Sequence, residues 1–193
     1  MTQTWLVTGA TGFLGAHVAE AAAAAGHRVL LAGRDPGRRI DRLGPEAPFV
    51  PLDLSEPESV RAVSERAQGL SGPVDVVINA AALARAGQCH AHPGMAMQVN
   101  GLAPSQLRGA FGPEVRFLQI STDLVWGRCA CPPSGFAEDT PLEHKPADVY
   151  ALTKLLGEQR IDGSEGTGGS GGTGGQPLPL TVRLALLYGD SRG

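Results

Sequence analysis

Tyr150 and Lys154 stand four residues apart in the segment VYALTKLLGE, so in an α-helix they share one face. A phenol has a pKa of about 10 in water, which is too high for efficient proton transfer at neutral pH. Because a neighbouring ammonium stabilises the phenolate, we expect Lys154 to lower the pKa of Tyr150. The phenol could then give a proton to a carbonyl oxygen, or take one from an alcohol, while a hydride moves at the carbon.

A hydroxyl that could hold the same oxygen, that of Thr122, follows an apolar run in the segment QISTDLVWG. The carboxyl ends of parallel strands are where ligands bind in open α/β sheets. We therefore predict Thr122, Tyr150 and Lys154 as the catalytic residues, and Lys154 could also reach the ribose of a nucleotide cofactor. A Tyr-x-x-x-Lys pair also occurs on ordinary exposed helix faces, so this prediction depends on a cofactor site elsewhere in the chain.

Such a site is indicated by glycines spaced three apart in the segment VTGATGFLG, between the first predicted strand and the first predicted helix. A pyrophosphate must approach the backbone closely there, and a side chain at Gly12 would block it. The helix N-terminus also offers unpaired N–H groups to an anion. We predict that Gly9, Thr11, Gly12 and Gly15 bind the cofactor; the alternative is an ordinary strand-to-helix turn.

The second predicted strand ends in LLAGRD, which bears on the choice of nucleotide. Arg34 stands where a 2′-phosphate would lie, and a guanidinium suits a phosphate. Asp35 follows directly, and an acidic residue would favour the free 2′-hydroxyl of NAD. We predict NADP(H), with NAD(H) as the alternative. Asp53, which ends the third strand in PLDLS, is predicted to meet the adenine; otherwise it is a simple turn residue.

Short apolar runs alternate with helical patterns along the chain, which predicts a Rossmann-like α/β fold: a doubly wound parallel sheet with helices on both faces, in three layers. Gly26 is predicted to end the first helix, and Ser55 with Glu58 to form a capping box at the second. The predicted strands cover 4–8, 27–32, 49–52, 74–78, 115–120 and 180–186, and the predicted helices 12–25, 55–68, 93–111 and 149–161.

Residues 1–193 are predicted to form a single domain that binds NAD(P). A polar loop covers 121–147, and a Gly-, Ser- and Thr-rich stretch covers 163–176. Such a composition buries too little apolar surface to offset chain entropy, so we interpret 163–176 as a flexible loop inside the domain.

The formal net charge of −3 and pI near 5.9 argue against a nucleic-acid partner, which usually requires a basic face. No signal sequence or membrane-length apolar run is visible in the 193 residues. The cysteines, Cys89, Cys129 and Cys131, are odd in number and do not resemble a secreted disulfide framework. We expect a cytoplasmic protein.

Two further clusters were considered for chemistry. Cys89, His90 and His92 crowd together, but no complementary pair of ligands has zinc spacing, so we predict no metal. A redox role for Cys129 and Cys131 is not favoured. No Gly-x-Ser-x-Gly elbow of a hydrolase is present.

Taken together, these motifs resemble the extended short-chain dehydrogenase/reductases, and most closely the dTDP-4-dehydrorhamnose reductase branch of nucleotide-sugar enzymes. The matching segments are TGATGFLG, DLSEPESV, VVINAAA, MQVNGLAP, ISTDLVWG, VYALTKLLGE and VRLALLYG. The resemblance implies catalytic roles for Thr122, Tyr150 and Lys154. It further implies cofactor contacts at Phe13, Leu14, Asp53, Leu54, Ala81, Ala82, Leu83 and Asn100, with Asn100 a structural asparagine on the central helix.

The chain departs from this family in two places. Leu124, Val125 and Trp126 stand where its reductases often have a tyrosine and a phenylalanine. Relatives also continue well beyond position 193, so we expect the C-terminal region that binds the substrate to be absent or truncated.

The resemblance implies an NADP(H)-dependent reductase of a nucleotide-linked 4-keto sugar, with a nucleotide sugar as its small-molecule partner and a homodimer as its expected assembly. Two alternatives stay open: an NAD-dependent nucleotide-sugar epimerase or dehydratase, and a non-catalytic NADP-binding regulatory subunit.

Overall fold

A parallel β-sheet forms the centre of the computed structural model, which describes residues 1–38, 43, 47–127, 135–137, 140–142, 146–163 and 177–185. Its strands lie in the order β3-β2-β1-β4-β5-β6, so the chain builds outwards from β1 in one direction and then, from β4, in the other. The strands are β1 (Thr4–Thr8), β2 (Arg28–Gly33), β3 (Phe49–Pro51), β4 (Val76–Asn79), β5 (Arg116–Thr122) and β6 (Leu180–Leu184). This order confirms the predicted doubly wound sheet, in which ligands bind where the winding reverses.

Helices cover both faces of the sheet, as predicted. They are α1 (Phe13–Ala24), α2 (Pro57–Arg61), α3 (Val63–Ser71), α4 (Ala86–Ala91), α5 (Pro93–Ala96), α6 (Ala103–Phe111) and α7 (Val149–Ile161). Side chains of α1 pack with Val7, Leu31 and Phe49 on one face. Side chains of α3, α6 and α7 share the other core with Leu6 and Val77. The three layers follow from strands that are apolar on both faces.

The predicted capping box at Ser55 is wrong. The helix begins later, at Pro57, with Glu56 as its N-cap and no side-chain hydrogen bond to the cap. Ser55 instead donates from its backbone N–H and from its hydroxyl to Oδ1 of Asp53, at 2.9 and 2.7 Å. The carboxylate of Asp53 accepts both of these groups, so Ser55 lies in a turn before the helix begins. The predicted single helix is also divided, at Ala62, into α2 and α3.

Other boundaries shift by a few residues. β4 starts two residues later than predicted, and β5 continues to Thr122. The short helix α4 was missed because its sequence, AGQCHA, has no apolar periodicity. The helix predicted over 93–111 is confirmed, but it contains a π-helical turn at Met97–Leu102. Of the predicted flexible loop at 163–176, all but Gly163 lies outside the described residues, as do Cys129 and Cys131.

A ladder of buried polar side chains joins three strands beneath the carboxyl edge of the sheet. Thr8 donates from its hydroxyl to Oδ1 of Asn79 at 2.6 Å, and Asn79 donates from Nδ2 to Oε1 of Gln119 at 2.8 Å. Thr8 also accepts the backbone N–H of Ala81 at 3.1 Å. Because buried polar groups must be paired, this ladder holds the ends of β1, β4 and β5 in one register.

Gly157 tests how tightly α7 packs on the π-helical turn. A Cβ at this position would lie 2.3 Å from the backbone oxygen of Asn100, whereas one at Gly109 on α6 would meet nothing within 4 Å. We expect Gly157→Ala to lower the free energy of unfolding by about 2 kcal/mol, through overpacking. The matched control Gly109→Ala should raise it by up to about 1 kcal/mol, through helix propensity. Urea unfolding checks both, and equal effects at the two positions would contradict the packing.

Candidate active site

The glycine turn brings backbone against backbone at the switch point of the sheet. Gly9 has a φ of 63°, and a Cβ there would lie 2.8 Å from the backbone nitrogen of Ala81. A Cβ on Gly15 would lie 2.3 Å from the oxygen of Gly9. A side chain larger than hydrogen therefore fits at neither position, which explains two of the three glycines by packing within the protein.

Gly12 plays a different part, because it faces open space at the start of α1. A Cβ there would approach one atom, the oxygen of Gly9, at 3.2 Å. Gly12 is the N-cap of α1 and provides no side-chain hydrogen bond, so helix geometry leaves the N–H groups of Phe13, Leu14 and Gly15 without intrahelical acceptors. Unpaired N–H groups beside an open backbone cradle fit the phosphates of a dinucleotide.

The end of β2 lies beside this cradle. A Cβ on Gly33 would lie 3.9 Å from the hydroxyl oxygen of Thr11, so the turn and the strand end are neighbours. Asp35 accepts the backbone N–H of Gly37 at 2.8 Å through Oδ1, and is thus part of a turn. Arg34 is exposed, and no hydrogen bond or ion pair joins its side chain to the described residues. The guanidinium is therefore available to a ligand, while one oxygen of the carboxylate is occupied.

The segment Ala81, Ala82 and Leu83 follows β4 and lies against the glycine turn, since a Cβ on Gly9 would be 2.8 Å from the nitrogen of Ala81. Asn100 in the π-helical turn accepts the N–H of Leu83 at 2.9 Å and donates to the carbonyl of Leu83 at 3.1 Å. The thiol of Cys89 donates to the same carbonyl at 3.1 Å. The amide of Asn100 is buried, and its two hydrogen bonds hold the backbone of Leu83 in place.

Asp53 and Leu54 follow β3 on the far side of the cradle. Leu54 is buried, and Asp53 is half-buried with Oδ1 occupied by Ser55. Their predicted contact with the adenine stays a prediction.

Helix α7 brings the predicted catalytic residues to the end of β5. Lys154 is buried, and its ammonium donates to the carbonyl of Ile120 at 2.5 Å, two residues before Thr122. The hydroxyl of Thr122 donates to Oδ1 of Asp123 at 3.2 Å and accepts the N–H of Leu124 at 3.3 Å. Tyr150 is half-buried in the first turn of α7, where Asp123 acts electrostatically on its phenol. The structure thus places Lys154 and Thr122 near one strand end, with Tyr150 one helical turn before Lys154.

The start of α7 is held by its own side chains and by the neighbouring helix. Asp148 caps it by accepting the N–H of Ala151 at 2.9 Å. The hydroxyl of Thr153 donates to the carbonyl of Tyr150 at 3.0 Å and accepts from Nδ2 of Asn100 at 3.2 Å. Thr153 therefore links Asn100, and through it the segment after β4, to α7. Nothing in the local pattern around Thr153 distinguishes it from an ordinary helix residue.

The pKa of the phenol differs from the sequence-based expectation. Burial raises the pKa of Tyr150, and the negative charges of Cys89, Asp148 and Asp123, when ionised, raise it further. Lys154 does not lower it here, because the ammonium is directed to the carbonyl of Ile120. In the protein alone, Tyr150 therefore keeps its proton to a higher pH than a free phenol does.

The ammonium is perturbed in the opposite sense. Burial lowers the pKa of Lys154 from 10.5 to about 8, and the carboxylate of Glu158 partly offsets this effect. At neutral pH the side chain is thus still mostly charged. The signal for Glu158 is present in the sequence, since it lies four residues after Lys154 and shares its helix face, yet we did not select it.

The His and Cys cluster does not assemble a metal site in the described part of the chain. Cys89 is buried and its pKa is raised by burial and by Asp148, whereas His90 and His92 are exposed. Among the residues that the structure describes, no three His, Cys, Asp or Glu side chains lie together so as to hold a metal ion. Within the same residues, no helix is long and apolar enough to span a bilayer.

Comparison with known proteins agrees with this geometry. The sequence model of the NAD dependent epimerase/dehydratase family matches residues 5–189. The chain belongs to this family. The resemblance inferred from the motifs is thereby confirmed, together with a nicotinamide nucleotide as the family's cofactor.

Relatives within the epimerase/dehydratase family include two named dTDP-4-dehydrorhamnose reductase. One, from Streptomyces griseus, is 33% identical over 193 residues, which cover 96% of this chain and 50% of the relative. The other, from Mycolicibacterium smegmatis, is 31% identical over 166 residues, which cover 83% of this chain and 42% of the relative. The chain thus spans about half the length of these relatives or slightly less.

A solved structure shares the fold. It is a short-chain dehydrogenase/reductase superfamily protein from Agrobacterium tumefaciens with bound NAD, at a TM-score of 0.70 and 24% identity. The match covers 93% of this chain and 48% of that chain. At this identity the likeness concerns the α/β architecture.

Lys154→Met tests the burial of the ammonium. Because burial lowers the pKa of Lys154 to about 8, the unfolded chain holds this proton more tightly, so the folded protein gains stability as the pH rises from 8 towards 10.5. Lys154→Met lacks this gain. The free energy of unfolding of the parent, relative to the variant, should increase by about 3 kcal/mol between pH 7 and 10.5. Urea unfolding at both pH values measures it, and a constant difference would contradict the burial.

Proposed function

We propose that this protein is an NADP(H)-dependent reductase of a nucleotide-linked 4-keto sugar. The proposal is supported by the packing of α7 on the end of β5, where the ammonium of Lys154 donates to Ile120, two residues before Thr122, and Tyr150 precedes Lys154 by one helical turn. The names of the two bacterial reductases support the substrate class. The bound nicotinamide would supply the hydride.

Each of the three side chains has a task that its surroundings support. The raised pKa keeps Tyr150 protonated at neutral pH but makes it a weaker acid, so the proposed donation requires the strongly basic alkoxide that hydride transfer would form on the substrate oxygen. An ammonium has three N–H donors, and Lys154 spends one on Ile120, which leaves two for the ribose hydroxyls of the cofactor. Thr122 can turn its O–H from Asp123 to the substrate oxygen.

The preference for NADP(H) is proposed from the end of β2. Arg34 is exposed, with no side-chain partner in the described residues, and Asp35 is tied to the N–H of Gly37. A 2′-phosphate would therefore bind the guanidinium of Arg34, whereas the carboxylate of Asp35 is already hydrogen-bonded to Gly37.

One alternative has specific support. The family includes epimerases and dehydratases by name, and the Agrobacterium structure was solved with NAD. An enzyme of that kind regenerates its cofactor, so it would copurify with bound nucleotide and turn over without added NADPH. A reductase consumes one NADPH for each sugar.

Tyr150→Phe tests the proton donor. Without the hydroxyl, oxidation of NADPH by a nucleotide-linked 4-keto sugar should fall at least about 100-fold. The dissociation constant of NADPH, measured by fluorescence titration, should change less than twofold. Tyr188→Phe, at the second of the two tyrosines in the chain, is the matched control and should leave both values near those of the parent. Unchanged turnover in Tyr150→Phe would refute the assignment.

Arg34→Ala tests the nucleotide preference. Loss of a charge-assisted contact costs about 1.5–3 kcal/mol, so the dissociation constant of NADPH should rise about 10- to 100-fold, while that of NADH changes less than twofold. Arg28→Ala removes an exposed arginine at the opposite end of the same strand, and is expected to affect neither. An equal loss for both nucleotides in Arg34→Ala would disprove the role in selecting NADPH.

A further inference from the structure

A buried ion pair that the proposed chemistry does not use lies behind Lys154. Glu158 is 3% exposed, and Arg183 on β6 donates hydrogen bonds to its carboxylate from two nitrogens. Nε of Arg183 lies 3.3 and 3.2 Å from Oε1 and Oε2, and Nη2 lies 2.8 Å from Oε2. Because Arg183 is opposite Ser121 in the β5–β6 register, the pair joins α7 to the sheet one residue before Thr122.

The same guanidinium contacts the turn that follows Thr122. Its central carbon lies 4.9 Å from the centroid of the Trp126 ring, a cation–π contact. Phe136 stacks on Trp126 with centroids 4.8 Å apart and an interplanar angle of 9°. The indole N–H donates to the carbonyl of Thr140 at 3.3 Å. Trp126 ends the short 3₁₀ turn Asp123–Trp126, so Arg183 bridges this turn and α7.

The charges around the site divide into two sets. Glu158, on the same helix, is the charge that acts on Lys154, and Arg183 on β6 faces Glu158. Cys89 on α4, Asp123 in the turn and Asp148 at the start of α7 act on the phenol of Tyr150. The ammonium has one hydrogen bond within the described residues, to Ile120. Glu158 lies one helical turn away, and its carboxylate is the charge that raises the pKa of Lys154 against the effect of burial.

We propose that Glu158 and Arg183 are positioning residues for Lys154, and that Trp126 fixes this pair to the turn that begins at Thr122. Glu158 balances the buried ammonium, and Arg183 keeps the carboxylate from moving. The guanidinium has a flat face for the indole and a fork for the carboxylate, which a lysine lacks. The importance of this arrangement for turnover rests on the proposed reductase function; the positioning of Lys154 does not.

The first experiment follows the ammonium directly and needs no cofactor. Lys145 and Lys154 are the two lysines of the chain, so Lys145→Arg leaves a single lysine signal for NMR with isotope-labelled lysine. In this background, Glu158→Gln should lower the pKa of Lys154 from about 8 by about one unit or more, a tenfold loss of proton affinity. Glu58→Gln, which breaks the exposed Glu58–Arg61 pair, is the matched control and should leave it unchanged.

A second variant covers a failure to fold, because Glu158→Gln leaves Arg183 without its partner. The double variant Glu158→Gln with Arg183→Gln removes both charges, and the nearer one, that of Glu158, should dominate. We expect a shift in the same direction and of smaller size. A folded variant of either kind that keeps the Lys154 titration at the parent value overturns the proposal.

The second experiment tests the link through Trp126. Trp126→Leu should lower kcat about 10- to 100-fold, since small displacements of reacting groups are costly, while the dissociation constant of NADPH changes less than twofold. Trp126→Phe keeps an aromatic face for Arg183 and should retain kcat within about threefold. Parental kcat in Trp126→Leu, or equal losses in both variants, would overturn the link. If the parent itself neither binds NADPH nor turns over, the proposed function fails, and the lysine titration still decides the positioning.

Discussion

Burial of one ammonium group is the constraint on which the rest of the site depends. Lys154 is 4% exposed, and a charge so far from water must find partners in the protein. The carbonyl of Ile120 accepts a hydrogen bond from it, which joins α7 to β5 near its carboxyl end, and the carboxylate of Glu158 on the same helix partly offsets the effect of burial. Tyr150 precedes Lys154 by one helical turn, so it lies on the same face of α7.

The close packing around α7 requires glycine at the points of contact, where a Cβ would be too close to a neighbouring atom. Gly157 lies directly against the backbone oxygen of Asn100, and a Cβ on Gly101 would lie 2.8 Å from the sulfur of Met97. The π-helical turn lies at this crossing. Its wider backbone turns Asn100 inwards, where the amide meets both Leu83 and Thr153. One buried side chain thereby connects the segment after β4 to the helix that carries Tyr150.

The glycine turn is built differently, by direct contact between backbones. Gly9 and Gly15 are required because the backbones of β1, α1 and the segment after β4 lie too close together to leave room for a Cβ. The polar ladder from Thr8 to Gln119 keeps the strand ends level beneath that contact. The hydrogen-bonded ends of β1, β4 and β5 lie on one side, and the buried ammonium of Lys154 lies on the other. The carboxyl edge of the sheet between them is the place where a ligand can lie.

Local spacing was sufficient for much of this protein. The glycine turn, the Tyr150–Lys154 pair and the alternation of strands and helices are patterns of a few residues each, so the sequence by itself determined the family and the doubly wound sheet. Other features depend on which groups meet after folding. The sequence predicted Ser55 as a helix cap, but its hydroxyl donates to Asp53 instead. The sequence also left open whether Arg34 or Asp35 meets the nucleotide, and in the structure Asp35 accepts the N–H of Gly37. The direction of the pKa shift of Tyr150, and the pairing of Glu158 with Arg183 across 25 positions, were decided by tertiary structure alone. The pKa of a group depends on its burial and on charged partners that are distant along the chain, and neither can be inferred from the neighbouring residues in the sequence.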